Sequence, residues 1–460
     1  MPAARAGQPI APDPPRLVCI DVGSTWTKGS LVETTEGRLL ATASHPTTLG
    51  TDVLDGLDAV LAALGPAAAD AAVLACSSAG GGLRLGVVGY ERAVTAEAGM
   101  RVGLSAGSRV CHVSAGPLDE AGLQALWAAR PDVILLVGGT DGGNQEVLLH
   151  NAGRLARSRL RVPVVAAGNA EAAEAVRTLL VRAGKPIVLA PNVLPEIGAI
   201  EPHGAREAIR EVFLSHVIGG KRLSRGPRFA ALVRAATPDA VLAGVELLAD
   251  GAEGVPGAGD VLVVDVGGAT TDVYSVITPE GEDAVIHREV VGTLWRARTV
   301  EGDLGVRWSA PGVVAAAEAE RLLEPAEAEW LGVAAAHRAA APELLPVNDD
   351  ELAADTRLAE LAVTVALRRH ARPPGPGGRG RDLRRTAVVV GSGGVLRHAT
   401  PAARARVLRA ATGDVAGGWR LPESARVSVD ARYVLAAAGL MAASYPLAAA
   451  RLLRAELLAR

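Results

Sequence analysis

Val18–Val32 reads VCIDVGSTWTKGSLV, and 244 positions later Leu262–Val276 reads LVVDVGGATTDVYSV. Each is an apolar strand, a turn of the form Asp-Val-Gly-(Ser or Gly)-x-Thr, and a second strand of alternating pattern. A repeat of this quality predicts two lobes of related design, each opening with the same β-hairpin. The chemistry of the turn points to phosphate. Glycine lets backbone N–H groups approach an anion closely, and Gly23, Ser24 and Thr25 supply amides and hydroxyls beside Asp21. A carboxylate fixed at a strand end suits Mg2+, which keeps most of its water and prefers carboxylate neighbours. Lys28 follows on the second strand as a point charge for phosphates, in a chain whose other lysines are Lys185 and Lys221. Read alone, Asp21 and Thr25 could equally cap a turn. The second copy, Asp265, Gly267, Gly268, Thr270 and Thr271, tips the reading toward a clamp that holds the phosphates of ATP from both sides, with Asp21 and Asp265 flanking the metal.

Outward from the hairpins, strand and helix alternate. Val73–Ser77, Arg109–Ser114, Val133–Val137, Val162–Ala166 and Ile187–Ala190 read as buried strands, with helices over Asp119–Ala129, Gln145–Arg157 and Glu171–Arg182. The expected fold is α/β with parallel layers. Residues 16–250 form the first lobe, with an α/β insertion at about 104–200, and residues 251–460 form the second. The glycine-rich joint DGAEGVPGAG, Asp250–Gly259, marks the boundary. A helical block follows from about Pro311 to His370, then a loose stretch RPPGPGGRGR at Arg372–Arg381. Thr386–Val390 is a strand running into Gly391-Ser392-Gly393-Gly394, placed to pack on the adenosine, and helices around Ala402–Ala411 and Arg432–Ala442 close the chain. A helix starting at Thr237-Pro238-Asp239 carries Glu246, either a water-activating base or a solvated face position. Gly138–Asn144, GGTDGGN, either cradles an anion at a helix start or is a tight turn capped by Asn144.

Composition narrows the classes. At 460 residues the chain can bury more than one core. A net charge of −3 gives no case for nucleic acid or an anionic membrane. Cys19, Cys76 and Cys111 stand far apart without a CxxC, so zinc and iron–sulfur frameworks are not expected; they read as buried apolar side chains in a cytoplasmic protein. The proline-rich residues 1–15 read as a disordered leader. Val434–Ala450 is interrupted by Ser444, Tyr445 and Pro446 and reads as buried helix, not a membrane span. No GxxxxGK(S/T) occurs, no GxGxxG sits at a first strand–helix junction, and no Asp-x-His-x-x-Gly cobalamin ligand pattern occurs.

DVGSTWTK, GGTDGGN, DVGGATTDVYS, EGDLGVR and GSGG, in that order over nearly the whole chain, resemble the glutamate mutase accessory protein family (MutL/GlmL) of the actin-like ATPase superfamily. The resemblance implies a two-lobed, ribonuclease H-like fold with duplicated β-hairpin units. It also implies an ATP- and Mg2+-dependent chaperone or reactivating factor, a weak ATPase, for adenosylcobalamin-dependent mutase subunits. On the superfamily pattern, Asp21, Ser24, Thr25 and Lys28 carry over as the first phosphate motif. Asp265, Gly267, Gly268, Thr270 and Thr271 carry over as the second, and Gly391, Gly393 and Gly394 as the adenosine motif. Three other classes share parts of this pattern. A sugar-type kinase would need a catalytic aspartate beside a substrate hydroxyl, an activator of 2-hydroxyacyl-CoA dehydratases would need a cysteine pair, and a scaffold would bind nucleotide without hydrolysis.

Overall fold

The computed structural model describes residues 14–79, 83–91, 95–106, 108–197, 199–218, 223–278, 296–373, 380–414 and 419–459. The leader expected at 1–15 therefore lies almost wholly outside the described residues, as does most of the loose stretch 372–381. The chain opens with an antiparallel meander of β1 (Arg16–Val22), β2 (Trp26–Glu33) and β3 (Arg38–Pro46). α1 (Val53–Ala63), capped by the Asp52 carboxylate on Leu54 N, leads to β4 (Ala72–Ser77), which lies parallel to β1.

The next segment builds a separate parallel sheet from β5 (Arg84–Gly89), α2 (Thr95–Ser105), β6 (Arg109–Ala115), α3 (Glu120–Ala128), β7 (Val133–Leu136), α4 (Glu146–Arg157), β8 (Val164–Ala166), α5 (Ala173–Arg182) and β9 (Ile187–Leu189). Its order is β6-β5-β7-β8-β9, a doubly wound arrangement. β5 lies upstream of the start expected near residue 104, because RLGVVG between glycines is too short to separate from loop by pattern. α6 (His203–Val212) and α7 (Pro227–Leu232) lead back to β10 (Val233–Ala236) beside β4. The first sheet then reads β3-β2-β1-β4-β10.

After α8 (Thr237–Asp250) and a ribbon of β11 (Gly251–Ala252) and β12 (Val255–Pro256), the design repeats. β13 (Val261–Val266), β14 (Thr271–Val276) and β15 (Arg296–Glu301) form the second meander. Helices α9 (Ala310–Ala319), α10 (Pro325–Ala340) and α11 (Asp349–Ala371) follow. The chain continues with β16 (Val388–Ser392), α12 (Gly394–His398), α13 (Pro401–Thr412), β17 (Arg426–Val429), α14 (Val434–Met441) and α15 (Pro446–Leu453). The order β15-β14-β13-β16-β17 matches the first sheet strand for strand, three antiparallel then two parallel. This twice-used topology is the actin-like, ribonuclease H-like α/β fold. The apolar stretch at 434–450 is two helices broken at Ser444 and Tyr445, and no helix among the described residues is long and apolar enough to cross a membrane.

Burial explains why the two meanders face each other. One apolar core takes Leu17, Cys19 and Cys76 from the first sheet and Val261, Val263 and Val390 from the second, with Leu242, Val245, Leu435 and Ala438 of α8 and α14 between them. α8 and α14 touch backbone to backbone: a Cβ on Gly439 would stand 1.7 Å from Ala240 O, and one on Gly244 2.2 Å from Leu435 O. The third sheet shares its Leu85, Val87, Val133 and Leu135 face with the core of the first sheet. Its other face, Val88, Ile134 and Leu136, packs on Leu126, Leu148, Leu155 and Val176 of α3, α4 and α5.

α11 illustrates the local rules. Asn348 accepts from Glu351 N at its start, acids fill its first turn, and Arg368 and Arg369 stand in its last, each set of charges complementing the helix dipole. His370 is fully buried between Ser275 Oγ and Thr299 Oγ1, each 2.9 Å from a ring nitrogen. Burial, with Arg381 adding to it, holds its pKa well below the ordinary imidazole value. The folded protein therefore refuses a proton that the unfolded chain accepts, so this contribution is fully present above pH 6.5 and is lost on acidification. Urea titrations of wild type and His370→Gln should converge below pH 6.5, the difference shrinking by about 1.4 kcal/mol per pH unit.

Candidate functional site

The two hairpins close identically. Gly23 N donates to Trp26 O at 3.1 Å and Gly267 N to Thr270 O at 2.9 Å. In the first, Asp21 on β1 is the register partner of Lys28 on β2; in the second, Asp265 on β13 is the partner of Asp272 on β14. The same position thus carries a cation on one side and an acid on the other. Asp21 is held at both oxygens: Thr237 Oγ1, at the start of α8, donates to Oδ1 at 2.6 Å, and Lys28 Nζ lies 3.4 Å from Oδ2. Cys76 Sγ also points at Oδ1, from 3.7 Å. The first turn is braced by Ser24 Oγ on Ser78 O, 3.1 Å, and Thr47 Oγ1 on Gly23 O, 2.9 Å.

Lys28 is where the halves meet. Its side chain is 24% exposed, and its ammonium lies 4.2 Å from the centroid of the Tyr433 ring, which belongs to the second lobe. Burial works to lower the pKa of Lys28, but Asp21, by its charge and hydrogen bond, and the charge of Asp265, with the Tyr433 ring beside it, outweigh that and hold it above the usual value. Burial pushes Asp265 up to about 6; Lys28 and a hydrogen bond from Ser392 oppose the rise, and Asp272 and Asp21 add to it. Asp21, Lys28 and Asp265, read from separate hairpins, are therefore electrostatic neighbours.

Other expected residues have structural partners. Thr271 is fully buried and donates to Leu304 O at 2.6 Å, within the EGDLGVR loop that also binds Gly267 O and Gly268 O through Val306 N and Arg307 N. Thr270 Oγ1 bonds Asp272 Oδ2 at 3.1 Å. Thr25 keeps the turn in place through its carbonyl, which accepts from Thr47 N. Gly391 lies within β16, and Gly394 opens α12. Gly393, at φ +103°, passes so close to β13 that a Cβ would meet Val266 O at 2.2 Å, which seats this turn against the second hairpin. Glu246 forms a 3.2 Å ion pair with Arg206, in a cluster with Asp239 and Arg210. The Gly138–Asn144 loop is bonded to its own surroundings: Asn144 Oδ1 accepts from Glu146 N, and Asn192 Nδ2 reaches Gly139 O and Asp141 Oδ1.

Sequence reasoning missed five contributors. Thr237 and Ser392 stood inside stretches singled out for other reasons, and Asp272 is visible as the acid that replaces Lys28 in the repeat. Arg298, 4% exposed, grips Asp272 Oδ1 through Nε at 2.9 Å and reaches Ser108 O of the third layer through Nη1 at 3.2 Å. Tyr433 carries no sequence signal at all. Among the described residues no group of three or more His, Cys, Asp or Glu side chains has metal-holding geometry. The donor set fits Mg2+ bound through water and phosphate oxygens, with Asp21 and Asp265 as its carboxylate neighbours.

Residues 17–457 match the family model described as "MutL protein". The chain is 34% identical over 452 residues to Protein MutL of Clostridium tetanomorphum, covering 95% of this chain and 97% of that one. Similar solved structures include a nucleotide-free acetone carboxylase, 14% identical, TM-score 0.37, over 93% of this chain and 70% of that one. The ethanolamine utilization protein EutJ of Carboxydothermus hydrogenoformans is 12% identical, TM-score 0.27, over 96% and 90%. At these depths the structural likenesses carry no functional argument. The family match and the full-length relative do: this chain belongs to the MutL protein family, the family whose ordered motifs its sequence resembles.

Proposed function

We propose that the protein binds ATP with Mg2+ between its two hairpins, hydrolyses it slowly, and uses the cycle to reactivate an adenosylcobalamin-dependent mutase such as glutamate mutase. The observation that carries the reading is Lys28 of the first sheet, whose ammonium lies 3.4 Å from Asp21 and 4.2 Å from the Tyr433 ring of the second half, within the field of Asp265. Two carboxylates about one ammonium leave a net negative charge, so a divalent cation carrying phosphates is the ligand that completes the arrangement. In it, Lys28 and the turn amides of Ser24, Thr25, Gly268 and Ala269 hold phosphate oxygens, and Asp21 and Asp265 orient the water shell of the ion. Bound Mg2+ would neutralise charge developing on the phosphates. The Gly391–Gly394 turn, seated on β13 beside the second hairpin, supports its assignment to the nucleoside. Glu246, already paired to Arg206, is left out of the reacting set.

The fold's shared core supports the proposed partner function. Lobes joined through α8 and α14 can close on triphosphate and open after cleavage, giving two states that a bound mutase distinguishes. The experiment mixes purified protein with its inactivated mutase, fresh coenzyme and ATP. Turnover should recover, and recovery no greater than in the ATP-free control overturns the proposal.

A further inference from the structure

Tyr433 holds φ +55° and ψ +41°, a left-handed conformation that bulky L residues avoid. Strain of this kind persists where neighbouring contacts over-determine it. Here they do: the buried Asp430 carboxylate accepts from Val434 N at 2.7 Å and Leu435 N at 3.1 Å, starting α14, while Asp430 N is tied to Gly391 O at 2.9 Å. The product of that turn is the place of one ring. Lys28 Nζ lies 4.2 Å and the Arg397 guanidinium 4.5 Å from its centroid. Lys28 comes from β2 of the first sheet, and Arg397 from α12, directly after the Gly391–Gly394 turn. One aromatic ring therefore joins the first phosphate hairpin to the third glycine motif.

We propose that Tyr433 is a positioning residue of the phosphate site: its ring holds the Lys28 ammonium beside Asp21 and Asp265, so that the lysine is oriented before the outer phosphates of a nucleoside triphosphate arrive. The choice of side chain is physically apt. A lysine head on a four-carbon stem wanders unless something restrains it, and its hydrogen bond to Asp21 is long, at 3.4 Å. A third carboxylate in this place would neutralise the charge that phosphate needs. A π face restrains a cation and leaves its charge uncompensated. The inference rests on the nucleotide reading for its ligand, but the restraint of Lys28 is a property of the protein alone.

The test compares Tyr433→Phe, which keeps the ring, with Tyr433→Leu, which removes it; both carry the same backbone strain, so differential folding effects are small. Calorimetric titration with MgATP should show Tyr433→Leu weakened by about 3- to 30-fold and Tyr433→Phe within about twofold of wild type. In a Lys28→Met background Tyr433→Leu should add nothing, the signature of a residue that acts through Lys28. The second arm needs no nucleotide. Acetylation of Lys28 by an amine-reactive ester, read by mass spectrometry with Lys185 as internal reference, should speed up several-fold in Tyr433→Leu and not in Tyr433→Phe. Equal MgATP affinities for wild type and Tyr433→Leu, an undiminished loss in the Lys28→Met background, or unchanged acetylation each overturns the assignment. Should wild type bind no MgATP, the nucleotide reading fails by itself, and the acetylation arm still decides whether Tyr433 restrains Lys28.

Discussion

Asp21→Asn should reduce steady-state ATP hydrolysis by about 100-fold or more while leaving the melting temperature within a few degrees of wild type. The substitution is isosteric, and an amide oxygen can still accept from Thr237 Oγ1, which now donates to Asp21 Oδ1 at 2.6 Å. What disappears is the charge. A neutral amide in this place could neither pair with Lys28, 3.4 Å away, nor order the water shell of a divalent ion. Where positioning and charge neutralisation supply most of the catalysis, losing one preorganised electrostatic group costs about 10²- to 10³-fold. Phosphate release at saturating MgATP checks the point. A variant that keeps a third of the wild-type rate would place Asp21 outside the reacting set.

Gly439→Ala is expected to be the most damaging glycine-to-alanine change among the described residues. The new methyl would stand 1.7 Å from Ala240 O, a backbone atom of α8 that cannot swing aside, so α8 and α14 must separate. Overpacking of a rigid contact costs about 3 kcal/mol. The damage should also reach the site, because the α8–α14 core joins the two sheets whose hairpins share Lys28. We expect a lower urea midpoint and weaker MgATP binding together. Gly332→Ala on α10 is the control: no atom lies within 4 Å of its new methyl, so helix propensity alone should act, adding up to about 1 kcal/mol of stability. Equal midpoints for the two variants would mean that the helix crossing is looser than described.

Both predictions use features of unequal legibility in the sequence. The hairpins were readable because each is local: a strand, a turn and a returning strand within fifteen residues, written twice. Lys28 stood out because lysine is so rare in this chain. The strands at 109–115, 133–136, 164–166 and 187–189 were readable as apolar runs between helices. β5, β10 and β17 were not: each is four to six residues long, and RLGVVG, VRAA and RVSV look like connecting chain until their partners are known. Sheet order lies beyond pattern altogether, since β10 reaches β4 only after the whole third sheet has intervened. The site divides in the same way. Asp21 and Asp265 announce themselves by repetition, whereas Tyr433 reaches Lys28 through a left-handed turn that tyrosine does not advertise. For Glu246, helix position alone could not reveal the arginine on α6 that pairs with it.

The most direct measurement is a crystal structure of the protein with Mg2+ and a non-hydrolysable ATP analogue. The account predicts the β- and γ-phosphates between the two hairpins, with Lys28 on a phosphate oxygen, the ion near Asp21 and Asp265, and the nucleoside against Gly391–Gly394. A triphosphate bound elsewhere, or one that leaves Asp21 and Asp265 on separate sides of the molecule from the metal, would contradict it.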